Sequence, residues 1–469
     1  MSARFTVGEV TAALGRAPER GTGNRRGAEV AAFGRVVIDS RRTQPGDLFV
    51  AIRGERFDGN TFLDRAVTAG ASGAVGEDRP FQGRERIFFW PMPDGRRALQ
   101  ALAGHHRDRL GPRVVAVTGS NGKTTTKELV ASVLGQRFVT AATRGNLNNQ
   151  IGVPLTLLEI EPEHEWAVVE LGMSLPGEIE PLARIARPEV GIVTNVAASH
   201  LEGLRTIDAV LEEKLALGRA LGENGLLVYC GDQELLRNAV RELPCERISY
   251  GLAPGNDITP DDWSLDEEGR GSFLLEGRTF RLRLAGRHNV VNALAAVAVG
   301  REAGLSPGAI AGGLAEPDQL PLRMQLERWG EVLALVDCYN ANPESVLSAA
   351  GTLAALGNVR RRIAVLGEML ELGERSAALH EELGRELAGA GIDLVVSVGS
   401  GAAPVVDGAA RAGLAGERFG GRDEAARWLI EHLEPGDAVL FKASRGAALE
   451  KVVGVVREAC LDGSVRAGC

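Results

Sequence analysis

Cysteines are few and widely spaced in this sequence. The five cysteines are odd in number and no two of them form a Cys-x-x-Cys pair, a pattern that disfavours both a disulfide framework and a structural zinc site. An excess of positive charge is also lacking, because the formal net charge is −9 and the sequence pI is about 5.5. Nucleic acid is therefore not expected as a partner, and an anionic ligand would need a local cluster of donors.

Long apolar runs are absent as well. No stretch approaches the ~20 residues that span a bilayer, and the N-terminal Met-Ser-Ala-Arg-Phe lacks the charged-then-apolar pattern of a secretion signal. The apolar fraction of 44% and the charged fraction of 25% are those of an ordinary soluble globular protein. These features predict a protein of the reducing cytoplasm with no membrane partner.

Lysine is scarce. Of the 53 basic residues only five are lysines, at positions 123, 127, 214, 442 and 451. A guanidinium stays charged at any ordinary pH, whereas an amine is compact and can lose its proton. In a chain that otherwise uses arginine, each lysine is a candidate for a position that needs such an amine.

The length predicts several domains, because 469 residues exceed the size at which one hydrophobic core stops growing. The order of the predicted elements indicates three domains of the α/β class, at 1–111, 112–317 and 318–469. In the first, short apolar runs between turn signals predict strands. These runs lie at 35–38, 48–52 and 72–75.

In the middle and last parts, predicted strands alternate with predicted helices, which implies parallel sheets covered on both faces. The buried strands are predicted at 113–117, 167–171, 190–194 and 225–229, and then at 332–336, 362–366, 393–398 and 438–441. Residues 264–285 instead alternate apolar and polar side chains, which predicts a small antiparallel sheet, and a helix follows at 289–303. The last part is predicted to be a second doubly wound, Rossmann-like unit.

A glycine-rich loop carries the clearest chemical signal. Residues 118–125 read Thr-Gly-Ser-Asn-Gly-Lys-Thr-Thr and stand between a predicted strand and a helix predicted at 127–134. The loop departs from the usual G-x-x-x-x-G-K-[ST] pattern, because Val117 holds the first glycine position. Glycines let backbone N–H groups surround phosphates, while Lys123 offers a compact charge and Thr124 a hydroxyl for Mg²⁺. A nucleotide site is thus favoured over a turn that binds nothing.

Three further residues are candidates with simpler alternatives. Glu170 ends a predicted parallel strand, where α/β sheets bind ligands, so it is either a Mg²⁺ ligand or a capping or ion-paired acid. His200 follows the next strand, and a lone histidine is more often a structural side chain than a ligand. Lys214 lies in the charged stretch 208–217, where spacing alone favours a solvated lysine.

Segments throughout the chain carry a family resemblance. They occur at 39–41, 45–59, 118–125, 145–154, 169–173, 199–203, 286–292, 337–343, 366–373 and 442–446. In sequence and in order they resemble the Mur ligases, ATP-dependent enzymes that build the peptide stem of the bacterial cell-wall precursor. The resemblance implies an N-terminal domain for a UDP-linked substrate, a central P-loop ATPase and a C-terminal domain for the amino substrate.

The resemblance also implies roles for individual residues. The nucleotide residues it implies are Gly119, Ser120, Asn121, Gly122, Lys123, Thr124, Thr125, Asn289, Asn292, Arg323 and Asp337. The implied metal ligands are Thr124, Glu170, His200 and Lys214, with Lys123, His200 and Lys214 as catalytic residues. In this family the matching lysine is carbamylated by CO₂, which implies a modified Lys214 and two Mg²⁺ ions.

The implied substrates are a UDP-N-acetylmuramoyl-tripeptide and D-alanyl-D-alanine, joined through an acyl phosphate by a monomer during peptidoglycan synthesis. The implied substrate residues are Asp39, Ser40, Arg41, Asn146, Asn148, Asn149, Asn340, Asn342, Lys442, Ser444 and Arg445. The alternatives are a sibling ligase, a folylpolyglutamate-synthase-like enzyme and a nucleotide-binding regulator. The segments 145–149 and 337–343 argue against the first two, and 442–446 argues against the third. The third residue of the tripeptide has no signal in the sequence.

Overall fold

The computed structural model describes residues 5–20, 32–317 and 320–462. The chain divides into two compact units. The first comprises Met1–Val117, Phe138–Met173 and Gly177–Gly191, and the second comprises Thr118–Arg137, Ser174–Pro176 and Ile192–Cys469. Parallel sheets flanked by helices dominate, which confirms the predicted α/β class. The boundary expected at 317/318 adjoins residues 318–319, which lie outside the described residues.

The N-terminal segment forms a five-stranded sheet in the order β2-β7-β6-β5-β4, parallel except for β2. A separate antiparallel pair joins β1 to β3. The elements are β1 (Phe5–Thr6), α1 (Val7–Leu14), β2 (Glu19–Arg20), β3 (Ala32–Phe33), β4 (Val36–Val37), β5 (Leu48–Val50), α2 (Leu63–Thr68), β6 (Gly73–Gly76), β7 (Phe88–Pro91) and α3 (Gly95–Leu110). The three strands predicted from apolar runs are confirmed as β4, β5 and β6.

Capping residues fix the ends of the long helix α3. The Asp94 side chain accepts hydrogen bonds from the backbone N–H groups of Arg96 and Arg97, and the helix ends at Gly111 in the left-handed conformation with φ 63°. Both are common helix signals. The helix therefore stops directly before the strand that leads to the glycine loop.

The middle of the chain forms a six-stranded sheet in the order β13-β12-β11-β8-β10-β9. The pairs β8/β10, β9/β10 and β12/β13 are parallel. The elements are β8 (Arg113–Thr118), α4 (Lys123–Gly135), β9 (Thr140–Ala142), α5 (Gly152–Leu158), β10 (Trp166–Glu170), α6 (Ile179–Ala186), β11 (Val190–Val193), α7 (Leu201–Leu204), α8 (Ile207–Leu221), β12 (Leu226–Cys230), α9 (Glu234–Ala239) and β13 (Glu246–Tyr250). The four predicted buried strands are confirmed, and β9 and β13 are additional.

An antiparallel sheet and a helix follow, as predicted, and a second helix that was not predicted comes after them. The elements are β14 (Asp262–Leu265), β15 (Arg270–Leu275), β16 (Arg278–Ala285), α10 (Arg287–Glu302) and α11 (Pro307–Ala315). Phe273 pairs with Phe280 across the ladder, and their rings stack with centroids 4.9 Å apart. The Ala- and Val-rich helix α10 is buried along most of its length, and its two asparagines, Asn289 and Asn292, are buried with it.

The C-terminal segment forms a second six-stranded sheet in the order β17-β18-β22-β19-β20-β21, in which only the edge strand β17 is antiparallel. The elements are β17 (Gln325–Trp329), β18 (Val332–Asp337), α12 (Pro343–Ala355), β19 (Arg362–Gly367), α13 (Ser376–Leu387), β20 (Leu394–Val398), α14 (Ala403–Arg411), β21 (Ala415–Phe419), α15 (Arg422–His432), β22 (Ala438–Lys442) and α16 (Glu450–Leu461). The four strands predicted here are confirmed. Among the described residues, no helix combines the length and apolarity that a bilayer crossing requires.

Candidate functional site

The glycine loop joins β8 to α4, and two of its residues have to be glycine. Gly119 has φ 150°, and a Cβ placed on it would lie 1.8 Å from Thr194 Oγ1. Gly122 has φ 78°, and a Cβ there would lie 2.7 Å from Asn292 Oδ1. Both the left-handed backbone and the close approach exclude larger residues. The loop is thus packed tightly against the residues that follow β11 and against α10.

Residues after β11 also hold the loop by hydrogen bonds. Asn195 accepts from the Ser120 N–H through its backbone oxygen at 3.0 Å and from the Asn121 N–H through Oδ1 at 2.8 Å. Thr194 Oγ1 donates to the Asn121 carbonyl at 2.5 Å. These bonds fix the loop backbone without using Lys123 or Thr124.

Lys123 is the first residue of α4, and its side chain folds back over the glycine loop. Its Nζ donates to the carbonyl oxygens of Gly119 at 2.8 Å and Ser120 at 3.2 Å. The N-terminus of a helix carries partial positive charge, which adds to the ammonium charge. Thr124 is 6% exposed at the same terminus. The arrangement concentrates positive charge and a hydroxyl where phosphate oxygens would be received.

Two loop side chains are engaged with other segments. Ser120 Oγ accepts from the Ala197 N–H at 2.9 Å and from Ser199 Oγ at 2.9 Å. Asn121 and Asn342 form a reciprocal amide pair, with Nδ2–Oδ1 distances of 3.3 and 2.8 Å. Asn342 also caps α12, because its Oδ1 accepts from the Ser345 N–H at 2.9 Å. The glycine loop is thereby bonded to the segment that opens the C-terminal βα series.

Lys214 is not the solvated lysine that its charged neighbourhood predicted. It lies on α8, and its side chain is 1% exposed. Burial is the main reason why the pKa of Lys214 lies well below its usual range. The positive charge of Lys123 lowers this pKa further, and Glu213 opposes the shift. The solvated interpretation is wrong because Lys214 lies on the apolar face of α8. A buried amine of lowered pKa favours the neutral form.

His200 precedes α7 and is paired with an acid from the C-terminal series. Its Nδ1 is hydrogen-bonded to the carboxylate of Glu371, and the hydrogen bond to His200 lowers the pKa of Glu371 against the opposing effect of burial, with a smaller contribution from Lys123. Both residues have a left-handed backbone, with φ 56° and 63°, a conformation that costs of order 1–3 kcal/mol for a non-glycine residue. The surrounding packing therefore enforces the pair.

Glu170 ends β10 in register with Val117, which directly precedes the glycine loop in the sequence. It is 2% exposed, and its Oε1 accepts from Asn148 Nδ2 at 2.8 Å. Its backbone N–H donates to Thr143 Oγ1 at 2.9 Å. No described residue donates a hydrogen bond to the buried Oε2 of Glu170. A buried carboxylate oxygen in this state is a ready ligand for a cation or an ordered water.

The asparagines of α10, Arg323 before β17 and Tyr339 after β18 all lie in the second unit. Asn289 donates to the Ala285 carbonyl at 2.7 Å, and Asn292 donates to Asn289 Oδ1 at 3.1 Å. The Arg323 guanidinium stacks over the Tyr339 ring at 3.8 Å. These contacts orient three of the expected nucleotide residues.

A buried ion pair joins the ends of β18 and β22. Lys442 Nζ donates to Asp337 Oδ2 at 2.5 Å and to the Asn340 carbonyl at 3.0 Å. Ser444 Oγ accepts from the Leu370 N–H at 2.9 Å. The expected nucleotide residue Asp337 and the expected substrate residues Lys442 and Ser444 thus share one sheet edge.

The remaining expected substrate residues are mostly exposed. Asp39 and Arg41 form an ion pair at 2.7 Å, and hydrogen bonding to Arg41 lowers the pKa of Asp39 to about 2. Ser40 beside them is 7% exposed. Asn149 Oδ1 accepts from the Gly152 N–H at 2.9 Å, so it supports the start of α5. Asn146, Asn340 and Arg445 are exposed, and the expected nucleotide residue Thr125 is half-buried.

The donor set suits Mg²⁺. Within residues 5–20, 32–317 and 320–462, no group of three His, Cys, Asp or Glu side chains is arranged to enclose a metal. Mg²⁺ is usually bound through one or two carboxylates together with waters and substrate phosphates, rather than by an all-protein cage. The buried Oε2 of Glu170 and, taken separately, the hydroxyl of Thr124 are oxygen donors of the kind that such binding uses.

The residue pattern could have identified Thr194 and Asn195 as site residues, because both lie at the C-terminal end of a buried strand, as Glu170 does. Glu371 has no such signal. It lies in a loop, 171 residues from the histidine it contacts. The structure therefore adds two loop anchors and one histidine partner to the expected set.

Comparisons with known proteins agree along the chain. Family models match for the Mur ligase middle domain at residues 117–300, the Mur ligase glutamate ligase domain at 322–445 and the Mur ligase family catalytic domain at 33–107. The UDP-N-acetylmuramoyl-tripeptide–D-alanyl-D-alanine ligase of Bacillus subtilis (strain 168) is 37% identical, over 89% of this chain and 92% of that relative.

Solved structures are similar over the same length. A crystal structure of MurF from Acinetobacter baumannii has a TM-score of 0.88 and 32% identity, over 97% of this chain and 99% of that chain. The MurF ligase from Thermotoga maritima in complex with ADP has a TM-score of 0.82 and 30% identity, over 92% and 98% of the two chains.

Proposed function

The chain belongs to the Mur ligase family, and from that premise we propose that it is a MurF, an ATP-dependent ligase that joins D-alanyl-D-alanine to UDP-N-acetylmuramoyl-tripeptide during peptidoglycan synthesis. The observation that carries the proposal is Lys214, a 1%-exposed amine whose pKa is lowered by burial and by the neighbouring ammonium of the glycine loop. Nucleotide binding alone does not require such an amine. An acyl-activation site that holds two cations can use it, once carbamylated, as a cation ligand.

The first step activates the tripeptide. An oxygen of its terminal carboxylate attacks the γ-phosphorus of ATP, the bond to the β-phosphate oxygen breaks, and an acyl phosphate and ADP form. Negative charge develops on the transferring group, and preorganised positive charge stabilises it strongly in a water-poor site. Lys123 supplies that charge, and it exchanges its bonds to the Gly119 and Ser120 carbonyls for bonds to phosphate oxygens.

The second step forms the amide. The neutral amine of D-alanyl-D-alanine attacks the acyl carbon, a proton leaves the nitrogen, and the tetrahedral intermediate releases phosphate. Lys442, Ser444 and Asn340 share the sheet edge of the C-terminal series, and they are proposed to orient this substrate. Asp39, Ser40 and Arg41 are proposed to contact the uridine-diphosphate end.

The metal ligands are carried over from the family resemblance. Thr124 and Glu170 are proposed for one Mg²⁺, and His200 and carbamylated Lys214 for a second. Bound Mg²⁺ would neutralise phosphate charge and polarise the phosphoryl group. Carbamylation needs the neutral amine, which adds to CO₂, releases a proton and leaves a carboxylate. The lowered pKa of Lys214 supports that reaction.

The broader organisation is proposed on the same basis. The domains are 1–111 for the UDP-linked substrate, 112–317 for ATP and 318–469 for the amino substrate. The enzyme is proposed to act as a monomer in the cytoplasm. Asn289, Asn292, Arg323 and Asp337 are proposed to contact the nucleotide.

Release of ADP from the purified chain tests the reaction. With ATP, Mg²⁺ and UDP-N-acetylmuramoyl-tripeptide, we expect ADP release that depends on D-alanyl-D-alanine, and an adduct whose mass includes both alanines. Tripeptides that carry meso-diaminopimelate or lysine, assayed in parallel, define the third residue. ADP release that a single amino acid supports equally well would assign the chain to a sibling ligase instead.

Glu170→Gln tests the first cation site. The amide keeps an oxygen for Asn148 but removes the negative charge, so the Mg²⁺ concentration for half-maximal rate is expected to rise at least about tenfold. Glu163→Ala is the matched control, because it removes an exposed carboxylate that precedes the same strand. A Mg²⁺ titration that superimposes on that of the unchanged enzyme would remove Glu170 from the ligand set.

A further inference from the structure

The loop after β19 is hydrogen-bonded to the turn that carries His200. Glu371 in that loop bonds His200 Nδ1 through its carboxylate, and its backbone carbonyl accepts from the Glu202 N–H at 3.0 Å. Two residues on, Gly373 has φ 61°, and a Cβ placed on it would lie 3.3 Å from Glu202 Cα. Side-chain and backbone contacts therefore join the loop and the turn closely.

The chemistry of this pair determines which ring nitrogen His200 can offer. A carboxylate only accepts hydrogen bonds, so the shared proton belongs to Nδ1. In a neutral imidazole the lone pair then lies on Nε2. The His200 side chain is 16% exposed, whereas Glu371 is 50% exposed, so the histidine lies deeper than the acid that orients it.

We propose that Glu371 is the positioning residue of His200, and that it fixes the imidazole tautomer and ring orientation so that Nε2 faces the second cation. The inference rests on the proposed function, which assigns His200 to that cation. Histidine ligands of metals commonly donate their other ring N–H to a carboxylate, and loss of that partner weakens metal binding. Since Glu371 comes from the C-terminal βα series, this cation site is complete only when the loop after β19 contacts the turn at 200–202.

A purely structural ion pair is the competing interpretation. Such a pair would hold the loop in place without any effect on the tautomer of His200 or on cation affinity. Glu371→Ala removes the acceptor, and Glu371→Gln keeps the volume and one acceptor oxygen. Glu374→Ala is the matched control, because it removes an exposed carboxylate from the adjacent 3₁₀ turn Gly373–Arg375.

The tautomer is measured on the metal-free full chain by ¹⁵N NMR of its seven histidines, with His200→Gln to assign the signal. We expect His200 to be protonated at Nδ1 in the unchanged chain and in Glu374→Ala, and to shift toward the Nε2-protonated form in Glu371→Ala. An Nδ1-protonated His200 that persists in Glu371→Ala would overturn the proposal.

Cation affinity is measured by titration with Mn²⁺ in the presence of ADP, and electron paramagnetic resonance detects the bound and free Mn²⁺. Glu371→Ala is expected to weaken the second class of bound Mn²⁺ by about 10- to 100-fold while the first class is unchanged, with Glu371→Gln intermediate. Where the alanine variant fails to fold, Glu371→Gln alone decides. Two Mn²⁺ classes of unchanged affinity in both variants would overturn the role of Glu371 only, whereas a single class in the unchanged enzyme would also overturn the two-cation proposal.

Discussion

Replacing Lys214 with alanine is expected to abolish amide synthesis, and excess bicarbonate is expected not to restore it. The variant has no amine to carbamylate, so a ligand of the second Mg²⁺ is lost. Metal ions contribute several kcal/mol of transition-state stabilisation, so the loss of kcat is expected to be on the order of 10³-fold or more. Lys214→Arg is expected to fail as well, because a guanidinium stays charged and does not add CO₂. ADP release coupled to product detection measures both variants.

The matched control for Lys214→Ala is a residue of the same helix, α8. Arg219→Ala removes an exposed cation five residues further along α8, and a rate close to that of the unchanged enzyme is expected. Supply of ¹³C-labelled bicarbonate to the unchanged enzyme should give a carbamate ¹³C NMR signal that is missing from Lys214→Ala. A near-normal rate for Lys214→Ala would refute the carbamate assignment.

Replacing Lys123 with alanine is expected to lower kcat by roughly 10²- to 10³-fold, the usual effect of removing one preorganised donor from a developing negative charge. The glycine loop itself should persist, because Thr194 and Asn195 hold its backbone. Binding of the adenosine part is expected to weaken less than kcat falls, so ADP affinity measured by calorimetry separates the two effects.

Lys451→Ala is the matched control for this change, because Lys451 is exposed on α16. Lys123→Arg is a second variant, and we expect it to behave like the alanine variant, since a planar guanidinium does not replace a compact ammonium in the tight turn. A kcat within threefold of the unchanged enzyme in Lys123→Ala would contradict the proposed stabilisation of the transferring phosphoryl group.

Residues at strand ends were the most predictable part of the site. Parallel strands end at the same edge of a sheet. The apolar runs before Thr118 and Glu170 were therefore enough to predict that both residues lie at that edge. Lys214 shows the opposite outcome. Its acidic sequence neighbours suggested solvent, yet the helical neighbours Val210, Leu211, Leu217 and Gly218 are all buried. The 3.6-residue period therefore placed the lysine on the apolar face, and local charge was the wrong guide.

Contacts between distant segments lay beyond prediction from one sequence. Glu371 bonds a histidine 171 residues away, and Asn342 bonds a loop residue 221 residues away. The local sequence does not specify either contact, since a loop acid and a helix-capping asparagine are common surface features. The edge strands β17 and β21 were missed for a related reason: β17 is only partly buried and β21 largely exposed, so neither is a continuous apolar run.

The amide pair of Asn121 and Asn342 also has a consequence for the newly made protein. Ribosomes add about 5–20 residues per second, so the 221 residues between the two asparagines take roughly 10–45 s to synthesise. During that interval the glycine loop has been synthesised, while the asparagine that will bond it does not yet exist. In each new chain, the side chain of Asn121 is therefore accessible to water or to a nucleotide before Asn342 is available to bond it. Chains truncated before residue 342 would remain in that condition permanently.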